Sequence, residues 1–225
     1  MPRTARASKG GYYYHVINRG NARSKVFRKT EDYQEFADLL EQDFERLPVP
    51  VLAYCLMPDH FHLVLSPTHN GDLSRFMQWL LTAHVRRYHS KHQSSGHVWQ
   101  GRFKAFPIQD DEHLASVLHY VEGNPLRARL VKKAQDWEWS SLRCWFEHKR
   151  PEFLQSKPVS RGAIWVRRVN RPIPVQELAQ LRQSVNRGSP YGTEAWARKT
   201  ARTLGLESSM RPRGRPRKSE NTPKR

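Results

Sequence analysis

The sequence contains little cysteine and no long apolar segment. Cys55 and Cys144 are the only two cysteines in 225 residues and they form no closely spaced pair, which excludes a disulfide framework and a cysteine-ligated zinc site. No apolar run approaches the roughly 20 residues that span a bilayer, and residues 1–10 are basic and polar, without the apolar core of a secretory signal. We therefore expect a protein of the reducing cytoplasm that does not engage a membrane.

Acidic residues are scarce relative to basic ones. The chain has 39 Lys and Arg against 21 Asp and Glu, which gives a net charge of +18 and a pI of about 10.4. A field of this strength predicts a polyanionic partner, most simply nucleic acid, although an anionic membrane surface or a ribosomal role stays open on charge alone. Residues 1–142 carry a net charge of +4 and residues 143–225 carry +14, so most of the attraction belongs to the C-terminal part.

Hydrophobic periodicity predicts alternating strands and helices in the first 123 residues. Runs rich in aromatic and β-branched residues predict strands, and apolar residues spaced three and four apart predict helices. The order is β-α-β-β-α-β-α, with strands at 11–18, 51–57, 61–65 and 98–108 and helices at 30–46, at 73–88 and from Asp110 or Asp111 to Gly123. This order predicts an α+β fold, with a ferredoxin-like antiparallel sheet and helices on one of its faces.

A change of composition predicts three units along the chain. Residues 1–145 form the predicted core domain. Residues 146–210 form a basic extension, rich in proline and arginine, with two short predicted helices at 175–185 and 193–204. Residues 211–225 begin with Arg-Pro-Arg-Gly-Arg-Pro-Arg-Lys, a low-complexity run that cannot form a core and predicts a disordered tail.

Two histidines follow the predicted turn at Pro58 and Asp59. Side chains alternate across a strand, so His60 and His62 point to one face of the sheet while the apolar residues between and after them point to the other. Two imidazoles placed in this way can chelate one cation. The alternative is that both are ordinary polar residues on a solvated face, which is the commoner outcome for an isolated His-x-His pattern.

The third predicted helix carries a tyrosine and an asparagine four residues apart. Tyr120 and Asn124 share a helix face at this spacing, and Tyr120 lies outside the apolar stripe. The alternatives are a tyrosine at the rim of the core and a helix stop at Asn124, because the residue before Pro125 is disfavoured in the α conformation. The helix stop weakens the shared-face argument for Asn124.

Four motifs in this order resemble those of the REP-associated tyrosine transposases, which belong to the single-tyrosine HUH transposases. They are Tyr-His-Val-Ile-Asn-Arg-Gly-Asn at 14–21, Met-Pro-Asp-His-Phe-His-Leu-Val at 57–64, Val-Trp-Gln-Gly-Arg-Phe at 98–103 and Tyr-Val-Glu-Gly-Asn-Pro-Leu-Arg-Ala at 120–128. Four motifs in order are far more specific than any one of them. The resemblance covers residues 11–145 strongly, and it implies that residues 1–145 are an HUH-type catalytic domain.

The resemblance implies a reaction and a role for each candidate residue. His60 and His62 would bind a divalent ion, Mg²⁺ or Mn²⁺, with Asn124 as the oxygen-bearing third ligand. Tyr120 would attack a phosphodiester of single-stranded DNA at a REP-like hairpin and become joined to the 5′ phosphate, leaving a free 3′-OH. Such a protein would work at the nucleoid, as a monomer or a homodimer, and the residues do not decide between these two states.

Several arginines are candidates for DNA contact. Arg19, Arg23 and Arg102 lie in or beside the resembling motifs, and their alternative is a solvated basic surface. In the tail, Arg213 and Arg215 belong to an Arg-Gly-Arg-Pro core that resembles an AT-hook, a segment that can lie in a narrow minor groove. A generic polybasic tail that only raises affinity is an equally good interpretation.

Three other functions compete with DNA cleavage. A non-catalytic protein of the same fold could bind hairpin DNA and regulate, but such proteins usually lose part of the His and Tyr set. A histidine hydrolase of nucleotides would carry a third histidine at the next alternate position, where Val64 stands. A ribosomal role would leave His60, His62 and Tyr120 unexplained.

Deletion of residues 211–225 should weaken DNA binding and make its salt dependence shallower. Each phosphate neutralised contributes about −0.9 to the slope of log affinity against log salt for duplex DNA and about −0.7 for single strands. The slope can be measured by titrating full-length and truncated protein at several salt concentrations. A minor-groove role predicts a larger loss on A·T-rich than on G·C-rich flanks, whereas an unchanged slope would mean that the tail does not touch DNA.

Overall fold

The computed structural model describes residues 8–156 and 158–211, and a four-stranded sheet lies at its centre. The strands are β1 (Tyr13–Arg19), β2 (Val51–Met57), β3 (His60–Leu65) and β4 (Lys104–Ile108). They lie in the order β2-β3-β1-β4, and all three neighbouring pairs are antiparallel. This is the ferredoxin-like strand order, and the predicted α+β fold class is confirmed.

The two crossover helices cover one face of the sheet. They are α1 (Thr30–Arg46) and α2 (Asp72–His92), and their apolar sides pack on β-strand residues of the same face. Phe61 of β3 lies against Phe36 of α1, with ring centroids 5.1 Å apart. The side chains of β3 that alternate with His60 and His62 therefore lie in the core on this face.

Strand β4 is shorter than the strand predicted at 98–108. The first part of that segment lies beside the end of β1 and the turn that follows it. Asn21 N donates to Val98 O at 2.9 Å, and Gln100 N donates to Arg19 O at 2.8 Å. Trp99 is buried in the core of the crossover helices. The apolar residues that begin at Val98 therefore lie in a buried loop. The pairing of β4 with β1 begins only at Lys104.

A second helical layer covers the opposite face of the sheet. It contains α3 (Glu112–Glu122), α4 (Asn124–Arg127), α5 (Ser141–Phe146), α6 (Ala163–Val169) and α7 (Val175–Arg187), and α8 (Glu194–Leu204) and α9 (Glu207–Met210) follow. Val64 of β3, Val117 of α3 and Trp165 of α6 belong to one buried cluster on this side. The prediction of helices on one face of the sheet holds for α1 and α2. The third predicted helix, α3, packs on the opposite face.

The C-terminal extension also covers both edges of the sheet. Gln155 N donates to Val51 O at 2.8 Å along β2, and Tyr191 N donates to Pro107 O at 2.9 Å along β4. These contacts occupy backbone groups that an exposed edge strand would present to other chains. Residues 146–156 and 158–210, although set apart by composition, thus contact the sheet that residues 8–145 form.

A buried ion pair joins α3 to the extension. Arg161 Nε lies 3.6 Å from Glu122 Oε1, and both side chains are almost completely buried. The carboxylate also accepts hydrogen bonds from Ser141 Oγ at 2.7 Å and from Trp165 Nε1 at 2.5 Å. Arg161 in turn donates to Leu52 O at 3.0 Å, so one network connects the sheet, α3 and the extension.

Residues 212–225 lie outside the described residues, and Arg213 and Arg215 lie outside with them. The AT-hook-like tail therefore stays a prediction. Within residues 8–156 and 158–211, no helix combines the length and apolar character needed to cross a bilayer.

Replacing Arg161 with Met should destabilise the fold strongly. The substitution leaves the Glu122 carboxylate buried without its cation, and removing one partner of a buried pair costs about 3–5 kcal/mol. Urea denaturation of the variant and the wild type gives the change in unfolding free energy. Arg167→Met, at an exposed position of α6, is the control and should change it by less than about 0.5 kcal/mol. Equal stability of the two variants would contradict a structural role for the ion pair.

Candidate active site

α3 places Tyr120 at the sheet. The helix begins after Asp111, whose side chain accepts a hydrogen bond from His113 N at 2.7 Å, and it ends at Glu122. Leu114, Val117, Leu118 and Val121 anchor it to the sheet in a fully buried stripe. Tyr120 lies beside that stripe and is buried against the strands, with 9 % of its surface exposed. The sequence predicted this side chain to lie off the core, whereas the structure buries it in the core cluster between the sheet and α3.

The structure brings the two predicted histidines together and places Tyr120 next to His62. The ring centroids of His60 and His62 are 5.0 Å apart, and those of His62 and Tyr120 are 5.7 Å apart with the rings almost perpendicular. His62 is 1 % exposed, whereas His60 and Tyr120 each keep 9 %. Access from solvent therefore passes His60 and Tyr120.

Each histidine is held through its Nδ1 atom. His60 Nδ1 lies 2.5 Å from Asp59 Oδ1, and His62 Nδ1 lies 2.8 Å from His15 Nε2. Neither Nε2 atom makes a hydrogen bond to any residue in the described ranges. Metal-binding imidazoles commonly use one ring nitrogen for the ion and donate from the other to a neighbouring group, and this arrangement fits that pattern.

His15 is a site residue to which the sequence analysis gave no role. It lies on β1 opposite Val64, and its ring stacks on that of His62 with centroids 4.9 Å apart. The feature that would have identified His15 is the antiparallel register of β1 and β3, which places His15 beside His62 on one face of the sheet. This register cannot be deduced from the sequence of either strand alone.

Burial keeps the central histidines neutral. It lowers the pKa of His15 to about 3, and it lowers the pKa of His62 well below its ordinary value, with the neighbouring His15 adding to the effect. The hydrogen bond to His60 lowers the pKa of Asp59, which therefore stays a carboxylate. A neutral imidazole is the form that binds a metal ion, so the electrostatics also fit a divalent cation.

Asn124 begins α4, immediately after α3 ends at Gly123. It is partly buried, and its Nδ2 atom is buried without a hydrogen-bond partner. Only the Oδ1 atom of this amide could ligate a cation, and an unpartnered Nδ2 does not place that oxygen, so the role of Asn124 as third ligand stays a prediction. Among the described residues no group of three or more His, Cys, Asp or Glu side chains could hold a metal ion. A metal site here would need a donor of another kind beside His60 and His62, and Asn124 is the one that the sequence motif suggests.

Two of the predicted DNA-binding arginines line one groove. Arg19 and Arg102 both line a groove of about 270 Å³, together with Asn18 and Gly101. Arg19 Nε also lies 3.5 Å from Asp59 Oδ2, which links the groove to the carboxylate that holds His60. Arg23 is exposed at the end of a 3₁₀ turn, Asn21–Arg23, and does not line this groove.

Comparisons with known proteins identify relatives of this chain. Residues 8–124 match the family model described as "Transposase IS200 like". The chain is 30 % identical over 147 residues to a protein of Haemophilus influenzae named as a REP-associated tyrosine transposase, and the match covers 60 % of this chain and 81 % of that protein. It is 24 % identical over 135 residues to the REP-associated tyrosine transposase of Escherichia coli K12, covering 60 % and 78 %.

A solved structure shares the fold. It is a REP-associated tyrosine transposase bound to a REP hairpin, with a TM-score of 0.54 and 20 % sequence identity. The superposition covers 77 % of this chain and 99 % of that chain, so the shared fold includes part of the C-terminal extension.

One divalent ion should bind per chain, and both histidines should be needed. Titration with Mn²⁺ followed by electron paramagnetic resonance measures the bound fraction directly. We expect His60→Ala and His62→Ala each to weaken Mn²⁺ binding by at least about tenfold, since loss even of a group that supports a ligand costs that much. His69→Ala, which removes an exposed imidazole, is the control. Unchanged Mn²⁺ affinity in either site variant would remove that histidine from the metal site.

Proposed function

Because the chain belongs to the family of IS200-like transposases, and within it to the REP-associated tyrosine transposases, we propose that it cleaves and rejoins single-stranded DNA through a phosphotyrosine at Tyr120. The observation that carries the proposal is the position of the Tyr120 ring, perpendicular to that of His62 and 5.7 Å from it. No purely structural role requires a tyrosine beside the buried, neutral imidazoles of His15 and His62.

The residues of this chain would prepare the attack as follows. Asp59 and His15 orient the two imidazoles, and α3 holds the phenol against them. A divalent cation, Mg²⁺ or Mn²⁺, bound by His60, His62 and Asn124 would withdraw charge from the scissile phosphate and from the leaving 3′ oxygen. This help is needed because a tyrosine hydroxyl is a weak nucleophile at neutral pH.

The proposed step conserves the number of phosphoester bonds. Tyr120 Oη forms a bond to phosphorus while the bond between phosphorus and the 3′ oxygen breaks. The phenol loses its proton, and the 3′ oxygen gains one to become a free hydroxyl. A 3′-OH can later attack the phosphotyrosine and release Tyr120, so strands are rejoined without ATP.

The proposed substrate is a REP-like hairpin with a single-stranded flank. Support comes from the REP hairpin bound to the structural neighbour and from the names of the two sequence relatives. The groove lined by Arg19 and Arg102 offers phosphate contacts close to the site, and the exposed Arg23 adds charge nearby. Arg213 and Arg215 would add contacts from the tail. Location at the nucleoid follows from this substrate and stays a prediction.

Replacing Tyr120 with Phe should abolish the covalent product. The substitution keeps the packed ring and removes only the attacking oxygen, so the variant should fold and bind hairpin DNA normally. Incubation with a labelled single-stranded REP hairpin and Mn²⁺, followed by a denaturing gel, detects the adduct. Tyr13→Phe, in the neighbouring strand β1, is the control and should still form it.

Two results would contradict the proposal. An adduct that persists in Tyr120→Phe would assign the nucleophile to another side chain. A wild-type protein that binds the hairpin with metal present and forms no adduct would instead support a non-catalytic regulator of the same fold.

A further inference from the structure

Arg127 lies against the candidate nucleophile, although no pattern in the sequence indicated a role for it. It is the last residue of α4, and its side chain folds back over the end of α3. Its guanidinium carbon lies 4.4 Å from the centre of the Tyr120 ring, and Nη2 donates a hydrogen bond to Tyr120 O. A cation therefore lies over the ring whose hydroxyl is the proposed nucleophile.

The guanidinium has no anionic partner near it. Across residues 8–156 and 158–211, no carboxylate comes within 4.0 Å of Arg127, whereas Arg161 on the same side of the sheet is paired with Glu122. Arg127 is partly buried, and burial lowers the pKa of its side chain; Arg182 acts in the same direction. A desolvated cation without a counterion is costly for the free protein, so its position indicates an anionic ligand.

The residue before α4 leaves room for this arrangement. A Cβ atom on Gly123 would lie 3.0 Å from Arg127 Nη1 and 2.9 Å from His119 O. A larger residue would push the guanidinium away from Tyr120. Glycine at this position thus lets the arginine reach back across the helix end.

We propose that Arg127 is a catalytic residue that binds the scissile phosphate beside Tyr120, an inference that rests on the proposed function. The planar guanidinium matches two phosphate oxygens, and its charge does not depend on pH in the physiological range. Held over the phenol, it fixes phosphorus in reach of Tyr120 Oη. It also opposes the negative charge that spreads over the phosphate oxygens as one ester bond forms and the other breaks.

The alternative is a purely structural role, in which Arg127 caps the carbonyl end of α3. Both roles predict that loss of Arg127 lowers activity. Only phosphate binding predicts that the loss depends on the charge of one particular linkage in the DNA, and this difference decides the experiment.

The test measures hairpin DNA binding by the full-length protein in EDTA, so that no cleavage occurs. A series of single-stranded REP hairpins carries one neutral methylphosphonate at each linkage in turn. For the wild type, one linkage should lower affinity by about tenfold or more, the size of a lost hydrogen bond to a charged group. In Arg127→Gln that linkage should have no further effect, while the other linkages act as in the wild type. Arg129→Gln, which removes an exposed arginine two residues away, should retain the wild-type pattern.

A wild-type pattern in Arg127→Gln would overturn the proposal. If that variant fails to fold, Arg127→Lys replaces it. This variant keeps the charge but lacks the planar guanidinium that can bind two phosphate oxygens. Its affinity should still fall when the same linkage is neutralised, and it should form the adduct at least tenfold more slowly. Full adduct rate in Arg127→Lys would also overturn the proposal.

The test of Arg127 can fail or succeed independently of the test of DNA cleavage. Adduct formation with Mn²⁺ is scored independently of binding. A phosphate contact at Arg127 without any adduct would refute cleavage only, and an adduct without that contact would refute the role of Arg127 only.

Discussion

The structure depends on one constraint, which is that strand β3 is covered on both faces. All six of its residues are buried. Alternation sends Phe61 and its apolar neighbours into the core of the crossover helices, and it sends His60 and His62 into the layer formed by α3 and the extension. Buried polar groups need partners, and here Asp59 and His15 supply them. Burial also lowers the pKa of His62 and of its partner His15, so these two imidazoles stay neutral.

The second layer connects the site with the basic extension. α3 carries Tyr120, and the carboxylate of Glu122, two residues later, is fixed by Ser141, Trp165 and Arg161. A shift of α3 along the sheet would break this network, because Ser141 lies in α5 whereas Arg161 and Trp165 lie in the extension. The extension therefore has a structural function in addition to its charge, since it holds the helix that presents the candidate nucleophile.

Local patterns in the sequence predicted most of the sheet and part of the site. The alternation of residues 60–65 placed both histidines on one face, and four motifs in order indicated Tyr120. What the sequence could not provide depends on tertiary pairing. His15 meets His62 through the register of two strands, Arg127 folds back across a helix end, and Arg161 reaches Glu122 across 39 positions. The shortened β4 has the same origin, because Val98 and Gln100 bond to Asn21 and Arg19, at and just beyond the end of β1.

The central claim is that a single chain contains the whole site, since Tyr120 lies beside His62 of the same chain. It can be tested by mixing two inactive proteins, Tyr120→Phe and His62→Ala, with a single-stranded REP hairpin and Mn²⁺. Each protein alone should form no adduct, and the wild type serves as the positive control. The account predicts that the mixture also forms none, because neither chain holds both the phenol and the imidazole pair. An adduct restored in the mixture would show that Tyr120 acts on the metal site of a second chain, and it would contradict the account.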